Sequence, residues 1–362
     1  MARAGGRLYN PEMPQNAQTP ASAAGDALPS VRVVIPARNA ETTLRECLRS
    51  VMECDYPRKT IWIVNDGSRD TTAAILGEFP GINVLHVRAM GASAARNLAM
   101  QNAAEDVIAF TDADCVVRKD WLRRLVACVM EPGVSGAGGP QLAVPHQPLF
   151  ARRIHAFLAA ICFVGDYMRV GQGKHPVQHI PSCNSAYRRE AILSVGGFRP
   201  GLFPGEDVDL DRRLIMAGHK LVYTPEAVVE HHRPESLSEY VRMCVGYGLA
   251  QGQLVRLHGP FRLLHVLPAI AAAAVAAWVA LLIANPSAAA LTAAAAGLAL
   301  LAALARRIEP PLNLPWFVML LLVTVPAWNI GFLLGLLAGF KDIPWSNGGG
   351  ASENEDTAHQ RP

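Results

Sequence analysis

Two carboxylates one residue apart, Asp112 and Asp114, follow the apolar run Val107-Ile108-Ala109-Phe110. On an extended chain the residue between them turns to the opposite face, so both carboxylates point the same way. Hard oxygen donors in this arrangement suit Mg²⁺ or Mn²⁺, commonly shared with phosphate oxygens. A solvated turn carries the same pattern, so its company decides. Asn65-Asp66-Gly67-Ser68 places another carboxylate at a strand tip. There Asp66 either caps a helix starting near Thr71 or accepts a hydrogen bond from a nucleotide base or ribose. The stretch Gly91-Ala92-Ser93-Ala94-Ala95-Arg96-Asn97 lets the backbone approach a ligand closely and offers free N–H groups at a helix start. Arg96 in it faces a nucleotide, the site's carboxylates or plain solvent.

The elements that must position these residues alternate. Val31–Ile35, Thr60–Val64, Ile82–Val87 and Val107–Phe110 read as buried strands; Glu41–Glu53, Thr71–Phe79 and Ala92–Ala103 read as helices. Such an order implies an α/β domain with a parallel sheet, Rossmann-like, covered by helices on both faces. Ligands in these sheets bind beyond the carboxyl ends of the strands, where the polar tips lie.

The chain has 362 residues, 51% of them hydrophobic, and a net charge of only +3, so nucleic acid is excluded as a partner on charge. Seven scattered cysteines without a Cys-x-x-Cys read as reduced thiols, not as a disulfide framework. The apolar excess lies after residue 262. Segments 263–284, 287–305 and 316–338 each approach the ~20 apolar residues that a membrane crossing needs. Arg256 and Arg262 before the first segment, and Arg306-Arg307 after the second, put the N-terminal domain in the cytoplasm. The expected organisation is a flexible tail (1–30), a catalytic domain (31–235), an amphipathic interfacial linker (236–262), a region of about three transmembrane helices (263–340) and a disordered tail (341–362). Leu149 to Met168 reads as a helix whose apolar face rests either on the bilayer or in a core.

Val34-Ile35-Pro36-Ala37-Arg38-Asn39, Asn65-Asp66-Gly67-Ser68, Gly91 to Asn97 and Asp112-Ala113-Asp114, in this order, resemble the family 2 glycosyltransferases of the GT-A fold. Asn184 to Phe198 and Gly205-Glu206-Asp207-Val208-Asp209-Leu210 add to the likeness, which covers about residues 31–235.

The resemblance implies an enzyme that takes a nucleotide-sugar donor with Mn²⁺ or Mg²⁺ as cofactor. Asp114 then coordinates the metal, helped by Asp112 and His231. Pro36, Arg38, Asn39, Asp66, Ser68, Arg96, Asp112 and Arg233 bind the donor. Asp207 acts as base on the acceptor hydroxyl with Glu206 beside it, and Cys183 and Asn184 lie on the acceptor side. An inverting transfer at the cell inner membrane, to a lipid-linked acceptor in cell-surface glycan or glycolipid synthesis, is the expected role. A processive polysaccharide synthase is a rival, but Gln251-Gly252-Gln253-Leu254-Val255-Arg256 lacks the Trp of the Gln-x-x-Arg-Trp motif that such synthases carry. A non-catalytic membrane subunit of a glycan assembly complex is a second rival.

Overall fold

A computed structural model describes residues 28–161, 167, 173–305 and 308–337. The expectations for the tails at 1–27 and 341–362, and for Arg306-Arg307, fall outside these residues. The chain opens with β1 (Val31–Ala37), α1 (Leu44–Met52), β2 (Lys59–Asp66), α2 (Thr72–Leu76), β3 (Asn83–Val87), α3 (Ala92–Met100) and β4 (Val107–Thr111). Then follow β5 (Cys115–Val117), α4 (Trp121–Val129), β6 (Val134–Gly138), β7 (Gln141–Ala143), α5 (Leu149–Ala160), β8 (His175–Val177), β9 (Asn184–Arg188) and α6 (Arg189–Ser194). The remainder is α7 (Glu206–Met216), β10 (Lys220–Tyr223), β11 (Val229–His231), α8 (Leu237–His258), α9 (Leu263–Ala284), α10 (Pro286–Ala305) and α11 (Leu314–Leu337).

The main sheet has the order β3-β2-β1-β4-β9-β6-β10-β8. Its first four strands are parallel, as the alternating pattern predicts. The sheet as a whole is mixed, because β9 runs antiparallel to both β4 and β6. The chain enters β9 through a turn in which the Asn184 N–H donates to the Pro181 carbonyl at 3.0 Å. Alternation along the strands feeds two cores. Val31, Val33 and Ile35 pack with Leu44 and Leu48 of α1 and Trp121 of α4. Val34, Ile108 and Phe110 pack on the other face with Ala95 of α3, Ile192 of α6 and Leu210 of α7.

A small second sheet, β5-β11-β7, stands beside the strand tips. In its antiparallel β5–β11 ladder, His231 is the direct partner of Cys115. That register carries a histidine 117 positions downstream of Asp114 back to within one residue of it.

Most of residues 236–262, expected as an amphipathic interfacial linker, is helical. These residues hold α8, started by a capping box of Ser236 and Glu239 and packed directly on α11. Glycines make the close approach feasible. A Cβ on Gly248 would lie 2.0 Å from the Trp328 carbonyl oxygen, and one on Gly331 would lie 2.0 Å from that of Val245. Gly252 and Gly335 repeat the contact four residues on, the small-xxx-small pattern of tightly packed membrane helices. Tyr240 of α8 and Thr324 of α11 share a hydrogen bond at 2.6 Å. The apolar face of α5 is core: Phe157 packs against Phe317 of α11, the rings tilted with centroids 5.2 Å apart. Of the three expected spans, α9 and α11 are long and apolar enough to cross a membrane. The Ala-rich α10 returns alongside α9, where the Trp278 indole donates to the Ala289 carbonyl at 3.1 Å.

The helix contact yields a direct expectation. Gly248→Val forces backbone against backbone and should destabilise the detergent-purified protein by about 1–3 kcal/mol, read as a fall in its unfolding midpoint. Gly297→Val, where an added Cβ meets nothing within 4 Å, should leave the midpoint unchanged.

Candidate functional site

The tips of β1, β2 and β4, the end of β11 and the start of α7 open on one cleft of about 1490 Å³. Its walls include Pro36, Arg38, Asn39, Asp66, Arg96, Asp112, Asp114, Cys183, Glu206, Asp207, His231 and Arg233. Ser68 and Asn184 lie off it. Ser68 accepts from the Asn39 N–H at 3.0 Å and ties two loops together. Asn184 is fully buried: its amide donates to the Pro140 and Ala227 carbonyls and accepts from the Trp121 indole. The acceptor-side role expected for Asn184 is therefore corrected; its hydrogen-bonding capacity is spent joining the two sheets.

Asp66 does not cap α2, a task that Asp70 performs through the Thr72 N–H at 3.0 Å. Asp66 instead accepts from the Met90 N–H at 2.6 Å and the Gly91 N–H at 3.0 Å, fixing the loop into α3. Gly91 sits at φ +89°, a conformation that favours glycine.

Arg96 is 1% exposed and bridges two carboxylates. One terminal nitrogen meets Asp112 Oδ1 and the other Glu206 Oε1, each at 2.6 Å. Of the alternatives for this arginine, the site's carboxylates are its partners. Burial raises the Glu206 carboxyl; Arg96 opposes the rise, Asp207 adds repulsion, and the group comes to about 7.

Glu206 and Asp207 open α7 behind Gly205, whose φ is +99°. A Cβ on Gly205 would lie 3.0 Å from the Ala250 Cβ, so α8 bears directly on this turn. Asp207 Oδ2 accepts from the Ser182 N–H at 3.2 Å. His179 Nε2 lies 3.9 Å from the same oxygen. His179 Nδ1 meets Asp211 Oδ2 at 2.9 Å, and Asp211, fully buried, also accepts from Tyr187 Oη at 2.8 Å. Neither His179 nor Asp211 stood out as a site residue in the sequence. The available signal was a histidine four residues before Cys183 and a fourth acid, Asp211, on the helix that Glu206 begins.

On the opposite wall, His231 Nε2 lies 3.4 Å from Asp114 Oδ2, and its Nδ1 pairs with Gln141 Oε1 at 3.1 Å. Burial opposes a charge on His231, but the Asp114 carboxylate outweighs it and pushes the imidazole up to about 10. Asp114 and His231, 3.4 Å apart, with Asp112 on the same cleft, offer oxygen and nitrogen donors of the kind a divalent cation takes. Asp114 is open to the cleft, and the Gln141 contact aims the second imidazole nitrogen at it.

Residues 32–196 match the model of the family described as Glycosyl transferase family 2. The pre-mycofactocin glycosyltransferase of Mycobacterium tuberculosis is 31% identical over 254 residues, which cover 66% of this chain and 50% of that protein. The glycosyltransferase AglE of Haloferax volcanii is 28% identical over 212 residues, 56% of this chain and 67% of AglE. The chain therefore spans about half the length of the first of these relatives. Among solved structures, the mannosyltransferase PcManGT of Pyrobaculum calidifontis, in complex with GDP-Man and Mn²⁺, superposes with a TM-score of 0.57 at 20% identity. The match covers 86% of this chain and 88% of that one, and it shows that the two share the GT-A fold.

Arg96→Met should leave the buried Glu206 carboxylate without its counter-charge. The expected cost is about 3–5 kcal/mol of stability, measured by denaturant unfolding of the purified protein. Glu206→Gln in the same background should recover part of that loss.

Proposed function

We propose, from the match of residues 32–196 to the family described as Glycosyl transferase family 2, that the protein moves a sugar from a nucleotide-sugar donor to a membrane-associated, lipid-linked acceptor with inversion. The observation that carries this reading is the extent of the cleft. It runs from the strand tips, past Asp207, to Leu264 and Leu267 of α9 and Trp328 of α11. Polar donor-binding groups and the apolar roots of the membrane helices thus line one continuous space.

The donor lies under Pro36, Arg38, Asn39 and Asp66, with its diphosphate toward Asp112, Asp114 and Arg233. A divalent cation held by Asp114, Asp112 and His231 supplies positive charge that stabilises the departing diphosphate. The Mn²⁺ and GDP-Man of the Pyrobaculum enzyme support this choice of cation and donor class. Arg96, on the same cleft, holds the Asp112 and Glu206 carboxylates in place.

Asp207 removes the proton from the acceptor hydroxyl as its oxygen attacks the anomeric carbon opposite the diphosphate. The Ser182 N–H fixes one carboxylate oxygen. His179 stands behind that oxygen with its tautomer set by Asp211, a second base able to take the proton onward. A single attacking hydroxyl with one general base inverts the anomeric centre.

The apolar helices α9 and α11 anchor the protein in the cell membrane. Arg256 and Arg262 at the foot of α9 keep the catalytic domain in the cytoplasm, where nucleotide sugars are made available. With α10 also crossing, the protein is multi-pass. A lipid-linked acceptor then reaches Asp207 along the apolar side of the cleft, in keeping with a part in cell-surface glycan synthesis.

Two outcomes test this reading. EDTA should abolish nucleotide release from a nucleotide sugar by membranes holding the protein, and Mn²⁺ or Mg²⁺ should restore it; full activity in EDTA removes the cation from the account. Asp207→Asn should keep donor binding, measured by calorimetry, and lose transfer by about 10²-fold or more.

A further inference from the structure

Next to the proposed hard-cation site are two thiols that the chemistry above does not use. Cys115 Sγ, Cys183 Sγ and a His231 ring nitrogen all lie within 4.8 Å of one another. Cys115 Sγ is also 3.8 Å from Asp114 Oδ1, and His231 Nε2 is 3.4 Å from Asp114 Oδ2. Three independent constraints make the cluster. The β5–β11 ladder pairs His231 with Cys115. The β4–β9 ladder pairs Thr111 with Asn184, and the Thr111 hydroxyl donates to the Cys183 carbonyl at 3.0 Å, which sets Cys183 beside the Asp112–Asp114 turn. The Gln141 side chain holds the far nitrogen of His231.

We propose that Cys115, Cys183 and His231, closed by Asp114, form a site for a thiophilic divalent ion such as Zn²⁺ or Cd²⁺, and that its occupation switches the enzyme off. Metal–sulfur bonds of about 2.3 Å and metal–nitrogen bonds of about 2.1 Å in a tetrahedron separate the donor atoms by roughly 3.5–3.8 Å, a small contraction of the cluster as it stands. Both cysteines are free thiols, and Cys183 and His231 face the cleft, which gives an ion its entry path. Thiolate donors select Zn²⁺ over Mg²⁺ and Mn²⁺ by softness, and the imidazole adds to the same preference. An ion held there draws His231 and Asp114 away from the hard cation, so the two ions exclude each other. Three protons leave, one from each thiol and one from the His231 imidazolium, and no oxidant is required. The switching half of the proposal rests on the function proposed above; the binding half does not.

The test uses the full-length reduced protein in detergent, titrated with Cd²⁺ in excess Mg²⁺ and followed by the ultraviolet thiolate-to-cadmium charge-transfer band. The band should saturate at one ion per chain. It should vanish in Cys115→Ala and persist in Cys128→Ala, a buried thiol remote from the cluster. If Cys115→Ala fails to fold, Cys183→Ser serves for the same comparison. Absence of the band in the wild type, or its survival in the folded Cys115→Ala protein, overturns the site. In a parallel assay, Zn²⁺ should inhibit nucleotide release in the presence of excess Mn²⁺, and Cys115→Ala should need at least tenfold more Zn²⁺, since loss of even an outer partner costs about 10–100-fold in affinity. A wild type that shows the band but is indifferent to Zn²⁺ overturns the switching half alone. A protein that shows the band but releases no nucleotide under any condition overturns the glycosyltransferase reading, and the switch with it, and leaves the ion site standing.

Discussion

The buried guanidinium of Arg96 is the constraint on which the site depends. It joins Asp112, at the end of the β4 strand, to Glu206, at the start of α7, with two contacts of 2.6 Å. Neither Arg96 nor Glu206 has appreciable access to water, so each charge needs the other. In the proposed reaction the two acids belong to opposite halves, one beside the cation and one beside the base. By fixing their separation, a single side chain sets the gap in which donor and acceptor must meet. The Phe198 ring under the guanidinium, 5.4 Å from its centre, closes off alternative placements.

From Glu206 the chain of contacts leads to the membrane region. Gly205 has no side chain because its backbone is left-handed and Ala250 of α8 lies against it. The opposite face of α8 meets α11 through Gly248 and Gly252. The helix that presses on the base's turn is therefore also the helix bonded most closely to the apolar region. Polar residues of α8 such as Tyr247 and Gln251 face the cleft. Helix α8 thus touches both the turn before Asp207 and the apolar helix α11.

Much of this was legible in the chain. Short β-branched runs ending in polar tips announced β1, β2 and β4, and the acids at those tips do open on a common cleft. Other features depend on pairing that no local pattern encodes. The reversal at β9 follows from the turn at Pro181 and makes the sheet mixed. The placing of His231 depends on a register between strands more than a hundred residues apart. Asn184 looked like a ligand because it is polar among motif residues, yet its amide is consumed by two carbonyls and an indole. His179 gains its meaning only from Asp211, 32 residues later, and from the oxygen of Asp207 across the gap. The glycines of α8 and α11 gain their meaning only from the close approach of the two backbones.

The central claim is geometric: a cation on one wall, a base on the other, and Arg96 holding the walls together. The most direct measurement is an experimental structure of the full chain with Mn²⁺ and a nucleoside diphosphate bound. The account predicts Mn²⁺ ligated by Asp114 and His231, the diphosphate on the metal, and Arg96 still bridging Asp112 and Glu206 with Asp207 facing the vacant sugar position. A structure in which Arg96 has swung onto the nucleotide, or in which the metal sits away from Asp114, would contradict it.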